Sequence, residues 1–388
     1  MDLKRSSYIF VILLGFVSLL ADVCYEGARS IIGPFLGQLG ADAALVAFVA
    51  GAGELIGYGI RYLSGLAADR YKGYWPLTIL GYVINVAAVP LLALSGTWIT
   101  ASALIILERM GKAIRSAPRD AMLSYASQNI GRGLGFGIHK ALDQVGALLG
   151  PIFIALILYY NGTYRLGLVW MVVPATLCIL LLIVTRMVFP KPELMEPYTA
   201  KVETKGYSRQ FWIYIAALCC IAFGYIDFPL IAFHYAKQNI IDIRWIPVLY
   251  GIAMAVDGLA AFYLGRLFDR LGIQVLLAVS LLSALMAPVA FAGNLYAAVF
   301  GMVLWGFGMG AQESVIKAFV AELVPPDRRG SAYGLLNLFF GLAWFLGSVL
   351  MGIVYDFSIP LMVGISVASI LASIPFLLIL ARSDKMKT

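Results

Sequence analysis

Hydrophobic residues run along this chain in long unbroken blocks, not in the short alternating patterns of a soluble sheet. Blocks long enough to cross a bilayer, about 20 residues at 1.5 Å per helical residue, recur along the sequence. They fall at roughly 8–37, 43–69, 75–95, 98–123, 131–160 and 164–189, then at 210–237, 244–270, 273–292, 295–323, 328–356 and 358–382. Short polar turns separate the blocks of each set. The one long polar stretch, KPELMEPYTAKVETKGYSR at 191–209, divides the two sets. The pattern predicts an all-α membrane protein with twelve transmembrane helices in two six-helix bundles, at 1–190 and 210–388, joined by a linker at 191–209.

Composition sharpens that reading. Of 388 residues, 62% are hydrophobic and 13% charged, against about half and a quarter in soluble domains. The first block is too long, and too well matched by later ones, to be a cleaved signal peptide. The formal charge of +7 does not point to nucleic acid, because the basic residues sit in short loops and not on one face or in a tail. Lys4, Arg5, Arg70, Lys72, Arg132, the linker, Arg270, Arg328, Arg329 and the segment 382–387 all fall on one side, while the opposite loops GQLGADA and SGTW carry none. Lys237, Arg244 and Arg165 are exceptions. The positive-inside rule then places both termini in the cytoplasm of a multi-pass protein of the cell membrane. Cys24, Cys178, Cys219 and Cys220 lie in apolar blocks with no C-x-x-C pair, and the chain has two histidines. Neither a disulfide framework nor a metal site is expected, and no cofactor.

The two sets repeat each other. GLAADR at 65–70 returns as GRLFDR at 265–270, aligning Gly65, Asp69 and Arg70 with Gly265, Asp269 and Arg270. RGLGFGIHKALDQVGALLGP at 132–151 aligns with RGSAYGLLNLFFGLAWFLGS at 329–348, so Gly137 and Gly150 match Gly334 and Gly347. Each pair occupies the corresponding place in its half. Such doubling marks a transporter built from two related halves, with the substrate held near the midplane.

At this point the chain resembles the major facilitator superfamily, over its whole length. The G-x-x-x-D-R loop after the second and eighth blocks is similar to that family's loop motif, although the first copy reads DRYKG with its glycine displaced. Gly146-Ala-Leu-Leu-Gly150-Pro151 in the fifth block resembles the G-x-x-x-G-P signature of the family's proton-coupled antiporters, the drug and solute efflux branch. Glycines four apart admit a close helix neighbour, and the proline removes a backbone hydrogen bond and bends the helix; ordinary helix packing uses the same residues. The resemblance implies alternating access, with Asp69 near the start of the eleventh span and Asp269 near the start of the fifth, as gating contacts at helix N-termini. It also implies a monomer whose partners are protons, a small-molecule substrate and the lipid bilayer.

The charges inside the blocks are the candidate chemistry. Asp22, Glu26 and Arg29 lie at i, i+4 and i+7 of the first block, on one helix face that cannot look at lipid, where each charge costs roughly 3 kcal/mol. Tyr25 sits beside them as a neutral donor. Glu54 and Arg61 lie in the second block; Glu108, Lys112, Arg115 and Arg119 form a stripe on the fourth, where Pro118 is expected to disturb the helix; His139, Lys140 and Asp143 lie in the fifth. In the second half the positions matching His139, Lys140 and Asp143 are Leu336, Asn337 and Phe340. The glycines persist where the charges do not, so the glycines belong to the fold and the charges to the task of one half.

A carboxylate in a dry cavity resists ionisation and a nearby cation restores it, so a cavity that opens alternately can take up and release protons. Asp22, Glu26, Glu54, Glu108 and Asp143 are the proton-coupling candidates, with Asp22 and Glu108 foremost. Substrate-binding candidates are Tyr25, Arg29, Arg61, Lys112, Arg115 and His139 in the first half and Asp227, Asp257, Gln312, Glu313 and Trp344 in the second. Tyr225, Phe228, Trp305 and Trp344 are candidates for an aromatic wall, and His234 for a solvated residue at the outer end. For any single charge, an interhelical ion pair that binds nothing is an equal reading. Export of a small organic molecule against protons stands beside proton-coupled uptake of an anionic solute and export of a metal cation. Buried bases about as numerous as the acids weigh against the metal, and no hydrolase elbow, metalloprotease helix or phosphate loop marks an enzyme.

Overall fold

The computed structural model describes residues 3–71, 73–127, 129–191, 207–324 and 329–385. The greater part of the predicted linker therefore lies outside the described residues, as do the side chains of Asp69 and Glu313. The first half comprises α1 (Leu3–Gln38), α2 (Ala43–Tyr71), α3 (Tyr74–Leu92), α4 (Trp98–Ser127), α5 (Arg132–Asn161), α6 (Tyr164–Trp170) and α7 (Val172–Val188). The second comprises α8 (Arg209–Gly224), α9 (Phe228–Lys237), α10 (Ile246–Leu271), α11 (Gln274–Ala284), α12 (Met286–Ala290), α13 (Leu295–Leu323), α14 (Arg329–Phe357), α15 (Ile359–Leu371) and α16 (Ser373–Lys385). No strand occurs among the described residues.

All twelve predicted blocks are helical in their described residues, and among those residues ten helical spans are long and apolar enough to cross a membrane. The other two depart for opposite reasons. The block of α11 and α12 is apolar but short. Helix α4 has 30 residues, about 45 Å of helix, but carries the charged stripe.

Four blocks are broken into two helices, and proline explains three of the breaks. A proline offers no N–H to the carbonyl four residues earlier and crowds it. For Pro174, Pro288 and Pro375 that earlier residue is Trp170, Ala284 and Leu371, and α6, α11 and α15 end there. Elsewhere the helix runs on through its proline, and at Pro118 and Pro90 another group takes the orphaned carbonyl. Helix α4 is continuous through Pro118, contrary to the expected disturbance, because the Ser64 hydroxyl of α2 donates to the Ile114 carbonyl at 2.5 Å. In α3 the Cys24 thiol donates to the Val86 carbonyl, the one that Pro90 vacates, at 3.7 Å. Helices α1 and α5 also stay continuous, through Pro34 and Pro151. The fourth break, at Tyr225–Asp227, is closed by side chains. Ser366 donates to the Gly224 carbonyl at 2.6 Å, the Trp305 indole to the Ile226 carbonyl at 3.0 Å, and Asp227 accepts the Phe228 amide at 2.8 Å.

Packing divides the chain into two compact units. One holds Met1–Gly40 and Ile56–Thr199, the other Ala41–Leu55 and Ala200–Thr388. The start of α2 thus groups with the second unit, where Gly352 of α14 lies against Ala47 and the rings of Phe48 and Phe345 meet at 5.7 Å. This differs from a division at the linker alone.

Inside each unit the aligned glycines make equivalent contacts. A Cβ on Gly150 would strike the Val23 carbonyl of α1, and one on Gly347 the Phe223 carbonyl of α8. Gly146 similarly abuts the Leu19 carbonyl. A Cβ on Gly65 would meet Ala117 at 3.4 Å, and one on Gly265 would meet Ser314 at 3.8 Å. The repeat is therefore geometrical as well as sequential. Gly150→Ala and Gly347→Ala each force helix backbones apart and are expected to lower stability by roughly 1–3 kcal/mol. Gly59→Ala, at an exposed site with nothing near, is expected to be neutral or mildly stabilising. Melting curves of the purified variants check this ordering.

Candidate functional site

The first unit gathers most of the buried charge on the face where α1 packs against α4. The charged positions of α1 recur every three or four residues, as do those of α4, so two stripes meet along one seam. Arg115 Nη2 donates to Asp22 Oδ1 at 3.3 Å, and the Arg115 guanidinium lies 4.3 Å over the Tyr82 ring of α3. Lys112 Nζ stands 3.7 Å from Glu26 Oε1 and 3.4 Å over the centre of the Tyr25 ring. Glu26 Oε2 is also 4.0 Å from Arg29 Nη1. Tyr25 thus offers its ring to cations, a use that its spacing did not disclose.

Deeper in the same unit, Glu108 is almost wholly buried. Asn85 of α3 donates to its carboxylate at 2.5 Å and to its backbone carbonyl at 3.3 Å, and Arg109 Nε lies 3.7 Å away. Arg119 bonds Asp120 at 2.8 Å and donates to Ser18 of α1 at 3.0 Å; Ser18 in turn meets the Tyr82 hydroxyl at 2.9 Å. On α5, His139 and Asp143 pair at 3.4 Å, one turn apart as predicted. Sequence reasoning missed Arg109, Asn85, Tyr82 and Ser18. Arg109 is buried and lies 4.6 Å over the same Tyr25 ring that Lys112 meets, but it falls off the i, i+4, i+7 stripe. Asn85 carried a signal, a lone amide inside an apolar block.

Other candidates stand apart. Arg61 is exposed, 6.0 Å from the Tyr58 ring, and does not join the seam. Glu54 is half-buried on the part of α2 that groups with the second unit. Arg70, Asp269 and Arg270 are exposed at the ends of α2 and α10. In the second unit, Asp227 and Asp257 are buried and Gln312 is half-buried with its amide nitrogen unpartnered. Tyr225, Phe228, Trp305 and Trp344 do cluster, with ring centres 5.5 Å apart for Tyr225–Trp344 and 6.2 Å for Phe228–Trp305. Tyr250 and Phe340 extend the cluster, and its members are buried, so it is packed core and not an open wall. A cavity of ≈ 10 Å³, room for about one water, adjoins it beside Asp227 and Ser348. His234 is buried and bonded to the Tyr355 hydroxyl at 2.9 Å, not solvated.

Twelve helical blocks in duplicated halves, with paired charges sealed into one of them, define a polytopic membrane transporter and not an enzyme. The profile of the Major Facilitator Superfamily matches residues 11–348 and 238–388, and the chain belongs to that family. An uncharacterized protein of Mycobacterium tuberculosis, Rv2265, is 40% identical over 370 residues, covering 94% of this chain and 90% of the relative. Multidrug resistance protein MdtH of Photorhabdus laumondii is 24% identical over 346 residues, covering 83% and 80%. The crystal structure of nucleoside transporter NupG shares the fold, with a TM-score of 0.76 at 16% identity over 97% of this chain and 99% of that one.

Removing one member of a buried pair strands the other. Arg115→Gln is expected to destabilise the protein by on the order of 3–5 kcal/mol, and the double change with Asp22→Asn by much less. A double-mutant cycle of melting temperatures measures the coupling; additive losses would show that the pair does not interact.

Proposed function

We propose that the protein is a proton-coupled antiporter, exporting a small organic molecule across the cytoplasmic membrane by alternating access. The carrying observation is the seam in which two acids of α1 each face a cation of α4. Asp22–Arg115 at 3.3 Å and Glu26–Lys112 at 3.7 Å are looser than the about 2.7–2.9 Å of a tight charge-assisted bond. Loose pairs open readily. A carboxylate that loses its cation in a dry chamber is neutralised by a proton, and a returning cation expels that proton. Helix α1 would carry the exchange, with the glycines of α5 running along its backbone as a smooth bearing surface.

Asp22 and Glu26 are better placed for this role than Glu108, whose carboxylate and backbone carbonyl both accept from the Asn85 amide nitrogen. The G-x-x-x-G-P segment and the likeness to multidrug resistance protein MdtH support the direction of transport. The repeated G-x-x-x-D-R loops supply the gating contacts of the two halves, Gly65, Asp69 and Arg70 in one and Gly265, Asp269 and Arg270 in the other. Cytoplasmic termini follow from the lysine and arginine bias, and a monomer suffices.

Proteoliposomes with an imposed pH gradient test the reading, using a panel of anionic, zwitterionic and cationic compounds. Substrate is expected to move against the proton flow, and Asp22→Asn and Glu26→Gln each to cut gradient-driven transport by about tenfold or more. Movement with the protons would make the protein an uptake symporter. Unchanged transport in both variants would remove the coupling role from these acids.

A further inference from the structure

Arg115 is the most deeply buried cation of the α1–α4 seam, with its side chain 1% exposed. It gives one nitrogen to Asp22 at 3.3 Å, while its Nε and Nη1 are buried without an acceptor. Against the guanidinium lies the face of Tyr82, 4.3 Å away at the ring centre. That ring is held firmly. Tyr82 of α3 is wholly buried, and its hydroxyl meets Ser18 of α1 at 2.9 Å. Ser18 also accepts from Arg119 at 3.0 Å, and Arg119 is fixed on Asp120 through Nε at 2.9 Å and Nη2 at 2.8 Å. A Cβ on Gly81 would strike the Arg115 backbone nitrogen, and one on Gly111 the Asn85 backbone, so α3 and α4 touch beside the ring. The ring is the fixed surface, and the long arginine side chain is the movable partner.

An arginine keeps its proton, so the Asp22–Arg115 pair can be neutralised only at Asp22. Once Asp22 is protonated, Arg115 is a buried cation without its anion, which is strongly unfavourable. The other titratable groups acting on Asp22 are Glu26 on its own helix, Lys112 on α4, Asp143 on α5 and Cys178 on α7. Of these, Asp143 is paired with His139 and Glu26 faces Lys112. A tyrosine face attracts a cation without taking or giving a proton, and does so most where water is excluded. We propose that Tyr82 is a positioning residue of the proton-coupling step: its ring holds the Arg115 guanidinium while Asp22 is protonated and returns it to Asp22 when the proton leaves. This deepens the proton-coupled reading above and rests on it.

Asp22→Asn imitates the protonated acid, so a cycle of melting temperatures on the purified full-length protein reads the contact without any gradient. Tyr82→Leu is expected to lower the melting temperature about twice as far in the Asp22→Asn background as in the wild type. Tyr82→Phe, which keeps the ring, is expected to cost the same in both. A ring that only fills space would make the Tyr82→Leu loss equal in the two backgrounds, and that result overturns the proposal while leaving the antiport reading intact. In proteoliposomes with an imposed pH gradient, Tyr82→Leu is expected to cut gradient-driven transport by about tenfold and Tyr82→Phe to recover most of it. Equal transport by these two variants overturns the proposal even where the double variant with Asp22→Asn cannot be purified. Wild-type transport that ignores the gradient overturns the antiport reading itself, and the role given to Tyr82 with it.

Discussion

In hydrocarbon no polar group can turn to water, so each must find its partner within the protein. Much of the detail in this chain is a response to that constraint. At three prolines the helix ends where the carbonyl would be stranded, at Trp170, Ala284 and Leu371, and at two others a neighbour supplies a donor, Ser64 for Ile114 and Cys24 for Val86. The break before α9 receives donors from Ser366 and Trp305 and a cap from Asp227. The same rule holds the buried charges in opposed rows, because a lone arginine on α4 would be far less tolerable than one facing an acid on α1.

Glycine and charge divide the work of the repeat. The glycines keep α5 against α1 and α14 against α8, with carbonyl oxygens where side chains would otherwise be. Those contacts recur in both units, so they are what the architecture requires. Outside the repeated loop residues the charges differ: Leu336, Asn337 and Phe340 stand where the first half has His139, Lys140 and Asp143. The second unit has a packed aromatic cluster where the first has its richest polar seam. One scaffold, used twice, has been given two different interiors.

Helix placement was legible because a spanning block is long and apolar, a signal that survives without any knowledge of packing. Pairing on one helix was also legible: the spacing of His139 and Asp143 fixed their contact. Contacts between helices were not. Nothing in the first block says that Asp22 meets Arg115 and not Lys112, since that depends on the rotation of α1 against α4. Arg61 shows the limit from the other side. Its charge in an apolar block read as a cavity residue, yet it sits exposed at a position that periodicity alone could not assign. Pro118 shows it again, since helix breakage is decided by a hydroxyl on another helix.

The thiol of Cys24 bears on how the protein can be handled. It is buried within reach of the Val86 and Met171 carbonyls, donating to one at a time, and Cys178 is sealed nearby against the Val17 carbonyl. Cys219 and Cys220 are only half-buried. Maleimide or spin-label reagents added to the intact transporter would therefore mark α8 first and leave α1 untouched. A cysteine-free background for spectroscopy is best made with serine at position 24, whose hydroxyl can still serve the carbonyl that Pro90 leaves bare.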